Sequence, residues 1–142
     1  MRDQAMQVHC LKIFLGSLGL MALTACQTLP LQNFDNSPIH LANSHETLSD
    51  VEKAMVRAGT RLGWQIRTIK PGQINAKLYE EDQMAEVTID YSLSLYSIHY
   101  LNSENLRYSA ESGSPKMIYK DYNDWVQALD RAIRQELLNR PS

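Results

Sequence analysis

Residues 64–101 hold four short segments in which apolar and polar residues alternate: Trp64 to Ile69, Ile74 to Tyr79, Met84 to Tyr91 and Tyr96 to Leu101. The turn-like clusters KPGQ, EEDQ and SLSL separate them, and period-two alternation with turns this short predicts an antiparallel meander. Counting across EEDQ as a four-residue loop sets Tyr79 opposite Met84, Leu78 opposite Ala85, Ala76 opposite Val87 and Ile74 opposite Ile89. The same register sets Lys77 against Glu86 and Asn75 against Thr88 on the other face, so hydrophobic parity and charge pairing select one alignment. Across SLSL the count pairs Tyr91 with Tyr96, Ile89 with Ile98 and Val87 with Tyr100, leaving Asp90, Thr88, Ser97 and His99 outside. At the first hairpin, parity favours a three-residue Lys70–Gly72 loop with Trp64 and Ile66 inward, whereas Pro71 disfavours the helical backbone that this loop needs at Lys70.

A sheet with one apolar face needs a second layer. Val51, Ala54, Met55, Ala58 and Leu62 recur at helical spacing, with Ser49/Glu52 and Thr47/Asp50 as competing capping boxes and Gly63 placed to end the helix. Tyr122, Trp125, Val126, Leu129, Ile133 and Leu137 give a second amphipathic helix starting near Asp121. The expected fold is α+β: a two-layer sandwich in which two helices cover one face of a four-stranded antiparallel meander, in the order αββββα. Asn102 to Tyr119 reads as irregular, with Leu106 to Tyr108 as a candidate edge strand.

The N-terminal part has another character. Ile13 to Ala25 is an uncharged apolar run of about 13 residues behind Arg2, His9 and Lys12. A membrane-spanning helix needs about 20 residues, so the layout is that of a signal peptide. Leu23, Thr24, Ala25 and Cys26 resemble the lipobox of bacterial lipoproteins. That resemblance implies cleavage before Cys26, a thioether-linked diacylglycerol on its sulfur and a further acyl chain on its amine. At about 0.8 kcal/mol per buried methylene, two or three chains hold a protein stably on a bilayer. Gln27 after the cysteine resembles the enterobacterial sorting pattern for the outer membrane. Cys10 would leave with the leader, so the processed chain could form no internal disulfide.

Loss of residues 1–25 from a chain of 142 leaves about 117, enough for one domain with a core. The chain carries 14 basic and 16 acidic residues, and losing Arg2, Lys12 and Asp3 moves its net charge from −2 to about −3, which argues against nucleic acid as a partner. Gln27 to Glu46, rich in Asn, Ser and Pro, reads as a flexible coil with a span of roughly 25 Å. His40, His45 and Glu46 lie in it with no second ligand cluster, so no metal is expected. The domain reading is therefore signal peptide at 1–25, lipidated cysteine and tether at 26–46, and a single periplasmic domain at 47–142.

No GxSxG elbow, Walker loop, HExxH pair, CxxC or Rossmann glycine pattern occurs. The expectation is a non-catalytic protein without a cofactor. Glu80, Glu81 and Asp82 fall at a hairpin tip, where charges stay solvated. The candidate binding face comprises Lys77, Tyr79, Glu86, Asp90 and His99 on the outward parity, with Tyr108 from the irregular segment; His99 with Asp90 is its one candidate acid–base pair. The segments Gly63–Trp64, YSIHYLNSENLRY (Tyr96 to Tyr108) and YNDW (Tyr122 to Trp125) resemble a group of small uncharacterised proteobacterial lipoproteins. The resemblance implies an envelope lipoprotein with a small α/β domain and brings no catalytic residues. The expected partners are the membrane, through the acyl chains on Cys26, and another envelope protein, with a small ligand or glycan on the open sheet face as the alternative.

Overall fold

The computed structural model describes residues 27–41 and 43–139. The expected signal segment, with Leu23, Thr24 and Ala25, and the expected lipidation site at Cys26 lie outside the described residues. The elements run β1 (Thr28–Pro30), β2 (Phe34–Pro38), α1 (Leu48–Arg61), β3 (Gln65–Lys70), β4 (Gln73–Glu80), β5 (Gln83–Tyr91), β6 (Leu95–Glu104), β7 (Met117–Tyr119) and α2 (Lys120–Leu138). The chain is α+β, with a five-stranded antiparallel sheet in the order β2-β6-β5-β4-β3 and a separate two-stranded pairing of β1 with β7.

The central hairpins have the register that the alternation predicts. β4 and β5 pair Ile74 with Ile89, Ala76 with Val87, Lys77 with Glu86 and Leu78 with Ala85. β5 and β6 pair Val87 with Tyr100, Ile89 with Ile98 and Tyr91 with Tyr96. The first two hairpin loops are shorter than expected, while Tyr91 and Tyr96 close the SLSL loop as the count set them. Glu80 pairs with Gln83, leaving Glu81 at φ 54° and Asp82 as the turn. At the first hairpin a bulge resolves the conflict between parity and Pro71. Lys70 pairs with Gln73, the extra residue falls at Ile69, and Ile66 still meets Ala76. Gly72 turns the chain at φ 87° and its carbonyl accepts from the Tyr91 N–H at 2.8 Å; a Cβ there would sit 3.1 Å from the Tyr91 oxygen. A second bulge at Leu101 shifts the pairing so that Glu86 meets Asn102.

Thr47 and Asp50 form the capping box of α1, and Gly63, at φ 88°, follows its C-cap. Leu62 is exposed rather than part of the buried stripe, because the helix has already ended at Arg61. α2 starts at Lys120 and buries Tyr122, Val126, Leu129, Ile133 and Leu137. These side chains, the buried face of α1 and the inward parity of the sheet make one core cluster. At the surface beside that core Arg57 and Arg61 of α1 reach Glu136 of α2 at 3.2 and 2.6 Å.

The N-terminal segment overturns the tether expectation. Residues 27–41 are laid on the domain, and β2 forms the fifth strand, pairing Phe34 with Ile98 and Ser37 with Tyr96 across a bulge. Ile39 is 7% exposed and belongs to the core cluster. The observed order therefore adds β1 and β2 before α1 and β7 before α2 to the expected αββββα. Leu106 to Tyr108 does not form an edge strand; Leu106 is buried and its carbonyl accepts from the Tyr119 N–H at 2.8 Å.

Candidate binding face

Since successive strand residues point to opposite faces, the register that buries Ile74, Ala76 and Leu78 turns Gln73, Asn75, Lys77 and Tyr79 of β4 outward. Glu86, Thr88 and Asp90 of β5 and Ser97 and His99 of β6 join them. The polar groups on this open face pair across the strands. Lys77 Nζ lies 3.7 Å from Glu86 Oε2, Thr88 Oγ1 donates to Asn75 Oδ1 at 3.1 Å, and Gln73 Nε2 donates to Asp90 Oδ1 at 2.8 Å. Tyr79, 54% exposed, stands opposite Met84, which is 2% exposed despite its place on this face.

His99 does not pair with Asp90. Its Nε2 lies 2.6 Å from Asp35 Oδ1 on β2, and both side chains are substantially exposed. Asp35 and Asn36, whose N–H donates to Ser97 Oγ at 3.0 Å, are face residues that the sequence reading missed because it assigned them to a tether. The only sequence signal was the polarity of FDNSP, which an edge strand and a linker share. In chemical terms His99 and Asp35 form an exposed hydrogen-bonded contact between an imidazole and a carboxylate.

Tyr108 is not brought to this face. Its ring stacks on Tyr100 at 4.2 Å between centroids and an interplanar angle of 17°, and Tyr100 meets Tyr122 edge-on at 5.6 Å. Tyr100 pairs with Val87 on the inward parity, so Tyr108 packs against the core side. Burial raises the phenol pKa of Tyr100 and Tyr122, and the Tyr122 hydroxyl is enclosed without a hydrogen-bond partner. Tyr119, the other aromatic of that segment, carries the Arg107 guanidinium 5.1 Å above its ring.

A depression of about 260 Å³ opens where the β3–β4 and β5–β6 turns meet, lined in part by Asn36, Gly72, Asp90, Ser92, Leu95 and Ser97. Pockets that enclose drug-sized ligands run to roughly 300–1,000 Å³. Among the described residues, no group of three or more His, Cys, Asp or Glu side chains could hold a metal ion, and no helix is long and apolar enough to cross a membrane. No protein-family model matches the chain, and no curated protein sequence matches it.

Proposed function

We propose that the chain is a lipid-anchored protein of the bacterial envelope, facing the periplasm from the outer membrane, whose domain binds another envelope protein through its open sheet face. The anchor is the thioether formed at the Cys26 sulfur as a phospholipid headgroup leaves with the thiol proton; Leu23, Thr24 and Ala25 supply the cleavage flank. The observation that carries the binding reading is the open face itself. Lys77, Glu86, Gln73, Asp90, His99 and Asp35 offer donors and acceptors along a broad polar surface, with Tyr79 as an exposed amphipathic side chain.

A small ligand or glycan is the second reading, favoured by the depression beside Asp90 and Ser97. Its small volume and position at the hairpin turns support a protein surface over it. A photo-crosslinking residue at Lys77 or Tyr79, compared with one at exposed Arg131 on α2, tests the choice in intact cells. A reproducible protein adduct from the sheet positions alone supports the proposal. Equal adducts from both faces, or none, refute it. Cys26→Ser tests the anchor: the variant is expected in the soluble fraction without acyl mass, and membrane retention of the processed, lipid-free protein would overturn the lipoprotein reading.

A further inference from the structure

Residues 27–33 are bonded into the fold from their first described residue. The Gln27 carbonyl accepts from the Lys120 N–H at 3.1 Å, and β1 pairs Thr28 with Tyr119, Leu29 with Ile118 and Pro30 with Met117. The Leu31 N–H donates to the Lys116 carbonyl at 2.8 Å. Buried Asn123 then holds the segment from both sides, accepting from the Gln32 N–H at 3.0 Å and donating to the Pro30 carbonyl at 2.9 Å. Gln127 Nε2 donates to Gln32 Oε1 at 2.6 Å, and Asn33 Oδ1 accepts from the Tyr100 N–H at 3.0 Å. In the sequence Gln27, the residue after Cys26, is thus itself bonded to the domain.

A coil over 26–46 would have let the domain wander roughly 25 Å from its anchor. One peptide link spans about 3.8 Å between Cα atoms. If the acyl chains of Cys26 lie in the bilayer, Gln27 stands at the headgroup layer, and the elements bonded to it stand there too. We infer that residues 27–33 form a rigid strap that seats the domain on the phospholipid surface through the patch made by β1, β7 and the start of α2. The inference rests on the lipoprotein reading. The patch presents Leu29, 37% exposed, and the Arg107–Tyr119 stack, a combination suited to an apolar–polar boundary. Exposed Lys116 and Lys120 also lie there, but Asp124 pairs with Lys120 and Asp121 is adjacent, so the local charge is largely offset. The seating follows from the short connection and the acyl chains, and does not need anionic lipid.

The test uses the processed, full-length lipoprotein in phosphatidylcholine vesicles, with and without phosphatidylglycerol, containing a headgroup nitroxide lipid. A fluorophore is placed through Leu29→Cys or, as control, Leu138→Cys, about 27 Å along α2 from Lys120. Mass spectrometry first records acylation at Cys26. The expected result is several-fold stronger quenching at the Leu29 position in both lipid mixtures, falling to the control level when a flexible Gly-Ser segment is inserted between Cys26 and Gln27. Acylated protein with equal quenching at the two positions, or quenching unchanged by the insertion, overturns the strap and leaves the anchor standing. Protein without acyl chains overturns both readings. A doubled mass in light scattering, with the Leu29 position shielded in detergent, assigns the patch to a second copy and also overturns it.

Discussion

Asn123 is the residue whose replacement best separates a strap from a tether. It is 5% exposed, yet both polar ends of its side chain are spent on the backbone of residues 30–32. Asn123→Ala removes two hydrogen bonds worth about 1 kcal/mol net each, so a loss of about 2 kcal/mol is expected in urea denaturation. The remaining bonds at Gln27, Leu31 and Asn33 keep the segment near the domain, so the change is expected first as local opening. If the opening free energy at the Gln32 amide falls by about 2 kcal/mol, its hydrogen exchange accelerates roughly 30-fold. Asn123→Asp sharpens the test. The carboxylate can still accept from Gln32, but it places an oxygen against the Pro30 carbonyl where an amide donated. Protonation restores a donor, so the folded state of this variant holds the proton more tightly than the unfolded state. Its stability therefore rises as pH falls through the carboxyl's pKa, opposite to the usual trend for a paired aspartate. Wild-type stability to within about 0.5 kcal/mol for Asn123→Ala, with unchanged exchange at Gln32, would refute the reasoning.

The contact of α1 with the sheet sets limits on both sides of the pH range. Glu52 accepts from Thr68 Oγ1 at 2.6 Å and Tyr91 Oη at 2.5 Å, and those bonds hold its carboxyl below the ordinary value. This contribution is present above the unfolded-state pKa and is lost as pH falls through the folded one. Burial, and then the bond to Glu52, push the Tyr91 phenol up to about 12, so its contribution is complete below about 10 and fades as pH rises towards 12. Glu52→Gln is expected to cost about 1–2 kcal/mol at neutral pH and to flatten the acid limb of the stability profile; an unchanged acid limb in urea titrations counts against it. On the adjacent strand, Tyr96, the register partner of Tyr91, donates through Oη to Asp130 Oδ1 at 2.6 Å, and Arg134 Nε supports the same carboxylate at 2.8 Å. Because Asp130 is 5% exposed, Tyr96→Phe should cost about 1.5–3 kcal/mol, and a double-mutant cycle with Asp130→Ala should show the coupling. A coupling energy near zero would mean that the pair contributes nothing to stability.

The parts of the fold that could be read from the sequence are those in which side chains carry the information. Ile74, Ala76 and Leu78 against Ile89, Val87 and Ala85 repeat every second residue, and Lys77 with Glu86 repeats the same alignment in charge, so a one-residue slip would break both patterns. β1 and β2 carry no such record. They are held by backbone pairing, by Asn33 and Asn123 side chains bonded to main chain, and by the Ile39 N–H donating to the Ser94 carbonyl. Pro30 and Pro38 read as linker residues, but a proline is tolerated at the edge of a sheet, where its missing N–H removes no central ladder bond. The partner of His99 was hidden for the same reason: Asp35 becomes its neighbour only when β2 is placed beside β6. Tyr108 misled in the opposite way, since an aromatic in an irregular segment resembles an interface residue until Tyr100 is found beneath it.

This placement of β2 joins two features that the sequence kept apart. The strand that begins one short strap from Cys26 is also the edge of the candidate binding face, where Asp35 meets His99 and Asn36 meets Ser97. A flexible tether would have uncoupled the orientation of that face from the membrane. Here the backbone from Gln27 to Pro38 runs through paired strands and buried polar clamps, so the proposed anchor at Cys26 would fix the direction in which the face is presented. Restricting orientation lowers the entropy lost when a partner on the same membrane docks. On the proposed reading, a strap of fixed length would favour partners whose own surface lies at a matching height above the bilayer. Loosening Asn123 and lengthening the link at Cys26 should weaken such binding on a membrane while leaving the affinity of the detergent-solubilised domain unchanged.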